Sequence, residues 1–88
     1  MGRKKGKKVS IIGAGNVGAT VAYSLAMRGI CHEIVLRDRD IDVARGKALD
    51  MSQAANAARM HTIVSVAEDA SDMADSDVVA ITAGSPRK

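Results

Sequence analysis

The chain is almost without aromatic residues: Tyr23 is its one member of that class, and Trp and Phe are absent from all 88 residues. Its core must therefore come from Val, Ile, Leu, Met and Ala, each of which buries less area than an aromatic ring. Cysteine is reduced to Cys31, so no disulfide can form within the chain. A reducing compartment, the cytoplasm, is the expected location. Long apolar runs are missing too. Nothing approaches a membrane span, and Val9–Ile12 is too short for the apolar region of a signal peptide, so no membrane partner is expected. Proline occurs once, at Pro86, and no Pro- or Gly-rich linker divides the sequence. The length allows one small domain, which buries only about two-thirds of its unfolded surface and holds a thin stability margin.

The net charge of +3 is unevenly placed. Arg3, Lys4, Lys5, Lys7 and Lys8 put five positive charges in the first eight residues, and the remainder is slightly acidic. A basic arm can hold phosphate backbones. Here no aromatic platform or basic helix accompanies it, so residues 1–7 read as a disordered, solvated tail and no nucleic-acid partner is expected. A nucleic-acid arm would instead show salt-dependent binding that disappears with residues 1–8.

Beyond the tail, hydrophobic spacing alternates between strand and helix. Lys8 to Gly13 reads as a strand with apolar residues on both faces (Val9, Ile11, Ile12), as in a parallel sheet. Val17, Val21 and Leu25, with Ala22 and Ala26 beside them, recur at helical spacing and should stop at Gly29. Glu33 to Asp38 is a second strand. Asp40 or Asp42 can cap a second helix, in which Ile41, Ala44, Ala48, Met51 and Ala55 line one stripe through Ala58, widened by Val43 and Leu49. Thr62 to Val66 is a third strand, Glu68 to Ala74 a short helical turn and loop, and Asp77 to Ala83 a fourth strand ending at Gly84. The fold class is α/β: a Rossmann-type half of a doubly wound parallel sheet, about four strands with helices on both faces.

Gly13-Ala14-Gly15-Asn16-Val17-Gly18 is a G-x-G-x-x-G turn. Alone it is weak evidence. Here it follows a strand, opens a helix, sits in a βαβ unit and has Asp38 twenty residues beyond Gly18. Gly13 allows the tight turn, Gly15 lets the backbone approach a pyrophosphate, and Gly18 lets the helix pack against the strands. The first helical amides, at the positive end of the helix dipole, favour phosphate. Asp38 can accept hydrogen bonds from ribose hydroxyls and would repel a 2′-phosphate, which favours NAD over NADP. Arg37 and Arg39 beside it keep NADP open, because an arginine can accommodate that phosphate.

The segments K-K-V-S-I-I-G-A-G-N-V-G-A-T-V-A-Y-S-L-A-M-R-G-I, E-I-V-L-R-D, A-L-D-M-S-Q-A-A and S-D-V-V-A-I-T-A-G-S-P-R-K resemble the start of malate dehydrogenases, in particular those most similar to lactate dehydrogenase. The resemblance runs from about Lys8 to Lys88. It implies that residues 8–88 are the N-terminal portion of an NAD-binding domain, that Gly13 to Gly18 and Asp38 bind NAD, and that Thr82, Ala83 and Gly84 lie along the cofactor. It also implies a substrate discriminator at Arg87: arginine pairs with the second carboxylate of malate or oxaloacetate, where lactate dehydrogenases usually carry glutamine. The complete enzyme would then be a homo-oligomer of the tricarboxylic acid cycle, with the second helix contributing to its dimer contact. Its acid–base histidine, the aspartate that polarises it and a further arginine fall beyond Lys88, so no catalytic residue is assigned here and these 88 residues are expected to be inactive alone. Two alternatives stand beside this reading: a non-catalytic dinucleotide-binding or scaffold fragment, and a lactate or other 2-hydroxy-acid dehydrogenase.

The remaining chemistry-bearing residues read as structural. His32 and His61 fall in turns with no carboxylate partner suggested by spacing. Cys31 has no local Cys or His partner. Glu68, Asp69, Asp72, Asp75 and Asp77 read as a solvated face rather than a metal site. The fourth strand, with Val78, Val79, Ala80 and Ile81, is expected to expose an apolar edge that invites self-association.

Overall fold

The computed structural model describes residues 6–13 and 15–82. Its elements run β1 (Lys8–Ile12), α1 (Asn16–Arg28), β2 (Glu33–Arg37), α2 (Ile41–Ala57), β3 (Ile63–Val66), a 3-10 turn (Ala70–Met73) and β4 (Val78–Ile81). All strand pairings are parallel, and the order across the sheet is β3-β2-β1-β4. Four parallel strands alternating with helices make the Rossmann-like α/β fold expected from the sequence. The helices do not cover both faces as expected: among the described residues α1 and α2 pack on one face, because the β3–β4 connection carries only a 3-10 turn.

Register decides which side chains share a face. Val64, Ile34, Val9 and Val78 form one row across the sheet, and Val66, Leu36, Ile11 and Ala80 the next. These rows meet α1 and α2, which pack against each other on the same face. The alternate row, Ser65, Val35, Ser10 and Val79, faces the other way. A right-handed crossover puts the β3–β4 connection over that second face. Its buried polar member, Ser10, is satisfied there: the Ser10 and Ser76 hydroxyls lie 2.6 Å apart, and Ser76 Oγ donates to the Met73 carbonyl at 2.6 Å. Lys8 ties the same connection down, its ammonium donating to the carbonyls of Asp72 and Ala74 at 3.0 and 2.7 Å.

Both helices end or begin where the sequence says they should. Gly29 takes φ +64, and the amide that follows it, Ile30 N–H, closes on the Leu25 carbonyl at 3.3 Å. Of the two possible caps for α2, Asp40 is the one used: its Oδ1 accepts from the amides of Asp42 and Val43.

The buried faces differ from expectation at two points. In α1 the buried residues are Gly18, Ala22 and Ala26, while Val17 and Val21 are exposed and Leu25 is only partly covered. At Gly18 the reason is steric, since any Cβ there would strike the Gly13 carbonyl. In α2 the stripe Ala44, Ala48, Met51 and Ala55 is buried as expected, but Val43 and Leu49 do not widen it, since both are exposed. Again the contact is built from alanine, and a narrow stripe suffices.

Candidate cofactor-binding site

The chain leaves β1 toward β2 on one side and returns through β4 on the other. Beyond the carboxyl ends of a parallel sheet, such a switch point leaves a crevice. Here it is a cleft of about 360 Å³. Its walls are the glycine turn with the start of α1 (Gly13, Gly15, Asn16, Val17, Gly18), the segment after β2 (Asp38, Arg39) and Thr82 after β4. Ile12 is an apolar lining residue that the motif alone did not indicate.

The three glycines are glycine for three different reasons. Gly13 has φ +102, a conformation that side chains rarely adopt, and its amide donates to the Arg37 carbonyl at 2.7 Å, joining the turn to β2. At Gly18 a Cβ would collide with the Gly13 carbonyl oxygen and approach Thr82 Oγ1 to 2.8 Å. Gly15 is unlike both. Its φ of −71 suits any residue, and among the described residues an added Cβ would meet nothing within 4 Å. Neither backbone strain nor packing explains its lack of a side chain.

The start of α1 fits an anionic ligand. Gly15 offers no side-chain cap, and the first turn holds no acidic residue. The first-turn amides, which have no partner inside a helix, belong to residues that line the cleft, with the positive end of the helix dipole behind them. The start of α2, in contrast, is closed by Asp40 and carries Asp42 in its first turn. A diphosphate suits the first arrangement and would be repelled by the second.

Asp38 lies just past β2, one wall away from the turn. Its Oδ1 accepts from the Asp40 amide at 2.9 Å, which holds the carboxylate at the cleft. The two neighbouring arginines separate. Arg39 lines the cleft with Asp38, whereas Arg37 Nη1 reaches the Ala67 carbonyl at 3.5 Å and is not among the lining residues. Strand alternation does not give this division, because residues two apart share a face; Arg39 lies past the end of β2, where the pleat no longer sets its direction. Ala14, Ala83, Gly84, Arg87 and residues 1–5 of the tail lie outside the described residues.

A family profile, that of the lactate/malate dehydrogenase NAD-binding domain, matches residues 7–88. The chain belongs to this family. It is 75% identical over 83 residues to a malate dehydrogenase of Sulfurimonas denitrificans, an alignment covering 94% of this chain and 26% of the relative. A malate dehydrogenase of Nitratiruptor sp. is 62% identical over 85 residues, covering 96% and 27%. Among solved structures, Cryptosporidium parvum malate dehydrogenase matches with a TM-score of 0.87 at 36% identity, over 93% of this chain and 26% of that one. The lactate dehydrogenase of the same organism, complexed with lactic acid and nicotinamide adenine dinucleotide, matches with a TM-score of 0.89 at 30% identity, over 98% and 27%. The chain thus spans about a quarter of the length of the relatives it matches.

The other chemistry-bearing residues stand apart from this cleft. His32 and His61 are exposed in the turns before β2 and β3, at the opposite ends of the strands. Cys31 is buried, and burial pushes its thiol up from the ordinary range, which opposes thiolate chemistry. In the acidic segment Glu68 pairs with Arg45 at 2.9 Å, Asp72 accepts from the amides of Glu68 and Asp69, and Asp77 accepts from the Lys8 amide at 2.8 Å. Among the described residues no three His, Cys, Asp or Glu side chains are grouped to hold a metal ion, and no helix is long and apolar enough to cross a membrane.

Proposed function

We propose that this cleft holds the adenosine-diphosphate end of NAD in a malate dehydrogenase, and that the whole protein interconverts malate and oxaloacetate. The observation that carries the reading is Gly15: a residue with ordinary φ and open space above it, beside amides left uncapped at the start of α1. The first-turn amides take the pyrophosphate, and Gly15 lets it approach. Asp38 accepts from the adenosine ribose hydroxyls and repels a 2′-phosphate, which favours NAD over NADP. Among the described lining residues, Arg39 is the one that pulls the other way. Ala14, Ala83 and Gly84 complete the cofactor contacts, and Arg87 pairs with the second carboxylate of the substrate through two parallel hydrogen bonds, as the family likeness implies.

Bound NAD supplies the hydride acceptor for C2 of the 2-hydroxy acid. The acid–base histidine that takes the hydroxyl proton is expected in sequence following Lys88, so the 88-residue chain is proposed to be inactive by itself. The whole protein is proposed to act as a cytoplasmic homo-oligomer in the tricarboxylic acid cycle. Malate is preferred because the relatives at 75% and 62% identity are malate dehydrogenases. The lactate dehydrogenase match favours, as a second reading, a wider 2-hydroxy-acid activity. Steady-state assays of a full-length protein carrying this segment separate them. Malate should be oxidised with NAD far faster than lactate, and R87Q should reduce that preference. A preference for lactate, or indifference to R87Q, would refute the substrate assignment. Calorimetry of the chain itself should find NAD and ADP-ribose bound and NADP bound more weakly; no binding of any of them would leave only a scaffold.

A further inference from the structure

Thr82 follows β4 directly, and its amide continues the β1–β4 ladder by donating to the Ile12 carbonyl at 2.9 Å. Its hydroxyl lies 2.8 Å from the Gly13 carbonyl oxygen and 3.3 Å from that of Ile12. A hydroxyl has one proton, and both neighbours are acceptors. The shorter contact takes the proton, which leaves only lone pairs on Oγ1. A phosphate oxygen, itself an acceptor, gains nothing from them.

The Gly13 carbonyl is held from a second side as well. Gly18 passes so close that a Cβ there would strike this carbonyl and also approach Thr82 Oγ1. The carbonyl therefore sits between the Thr82 hydroxyl and the bare Cα of Gly18. Because a peptide unit is planar, fixing that oxygen fixes the plane of the whole group at the head of the turn. With φ +102 at Gly13, the turn occupies a region where glycine has wide freedom, and something must select one geometry.

We propose that Thr82 is a positioning residue for the pyrophosphate site: its hydroxyl locks the glycine turn through the Gly13 carbonyl and acts on the phosphates only through that turn. The inference rests on the NAD reading above and gives the end of β4 a task distinct from contact with the cofactor.

Three probes, read beside the ligand-free amide spectrum, separate the possible roles in the intact chain: NAD, ADP-ribose, which keeps the pyrophosphate but lacks nicotinamide, and adenosine, which has no phosphate. In ligand-free T82V the Gly15 and Gly18 amides should shift; if they stay in place while NAD and ADP-ribose weaken, the hydroxyl contacts the phosphates directly and the proposal is overturned. T82V should weaken NAD and ADP-ribose equally, by about tenfold, the scale of one lost hydrogen bond. Adenosine affinity, followed by NMR titration, should stay unchanged, and T82S, which keeps the hydroxyl, should restore the first two to wild type. Where valine prevents folding, T82A removes the hydroxyl without adding bulk and should show the same pattern. Weakening of NAD alone would mean a direct nicotinamide contact and overturn the proposal. Equal weakening of all three would mean general destabilisation and overturn it as well. Unchanged affinities in T82V beside a wild-type chain that binds NAD would overturn this inference alone; a wild-type chain that binds none would overturn the cofactor reading and this inference with it.

Discussion

Gly15 and Gly18 lie three residues apart in one motif, yet substitution should separate them. G18A drives a methyl group into the Gly13 carbonyl, and overpacking of that kind costs about 1–3 kcal/mol or more. It should lower the urea midpoint of the chain and abolish cofactor binding together. G15A meets open space at a permissive φ, so it should cost at most about 1 kcal/mol, the difference between glycine and alanine at a helix cap. Its cofactor affinity should still fall by about tenfold, because the methyl stands where the ligand approaches. Equal loss of stability in the two variants would contradict the distinction. Cys31 offers a test through pH. Its folded thiol binds its proton more tightly than the unfolded thiol, so its contribution to stability is full below the ordinary thiol range and is lost as pH rises through that range toward the raised folded value. Urea midpoints measured across mildly alkaline pH should decline, and C31A should flatten the decline.

At the scale of the elements, the order and type of every strand and helix were legible in the sequence, because apolar periodicity, the two glycine stops and the aspartate cap agree with one another. The buried face of α1 was not. Val17 and Val21 are the larger hydrophobes, but the residues that α1 buries are Gly18, Ala22 and Ala26, and at Gly18 a Cβ would strike the Gly13 carbonyl. Hydrophobic spacing counts apolar residues and carries no information about how close two elements come. The same limit hid the exposure of Val43 and Leu49 on α2. In the site, glycine spacing and Asp38 were readable because each answers a local requirement. The bond from Thr82 to Gly13 spans 69 residues and depends on the register of β4 beside β1, which no local pattern encodes. The Asp40 cap gives a direct check on the reading of α2. D40A removes the acceptor for the amides of Asp42 and Val43 and should cost about 1 kcal/mol by urea denaturation, with little effect on cofactor affinity.

Taken whole, the described sheet has β3 and β4 at its edges. Val78, Val79 and Ile81 of β4 are each about half exposed or more, a flat apolar border of the kind that recruits another strand. Sedimentation of the 88-residue chain should show self-association rising with concentration, and V79K should reduce it. A monodisperse monomer at high concentration would argue against an adhesive edge. The central claim concerns the other border of the sheet, where the carboxyl ends of β1, β2 and β4 gather the glycine turn, Asp38 and Thr82 into one cleft. An NMR titration of the chain with NAD locates the ligand directly. Amide shifts should saturate and concentrate at Gly13, Gly15 to Gly18, Asp38, Arg39 and Thr82, while His32 and His61 at the opposite strand ends stay still. Shifts confined to those opposite ends, or none at saturating NAD, would contradict the account.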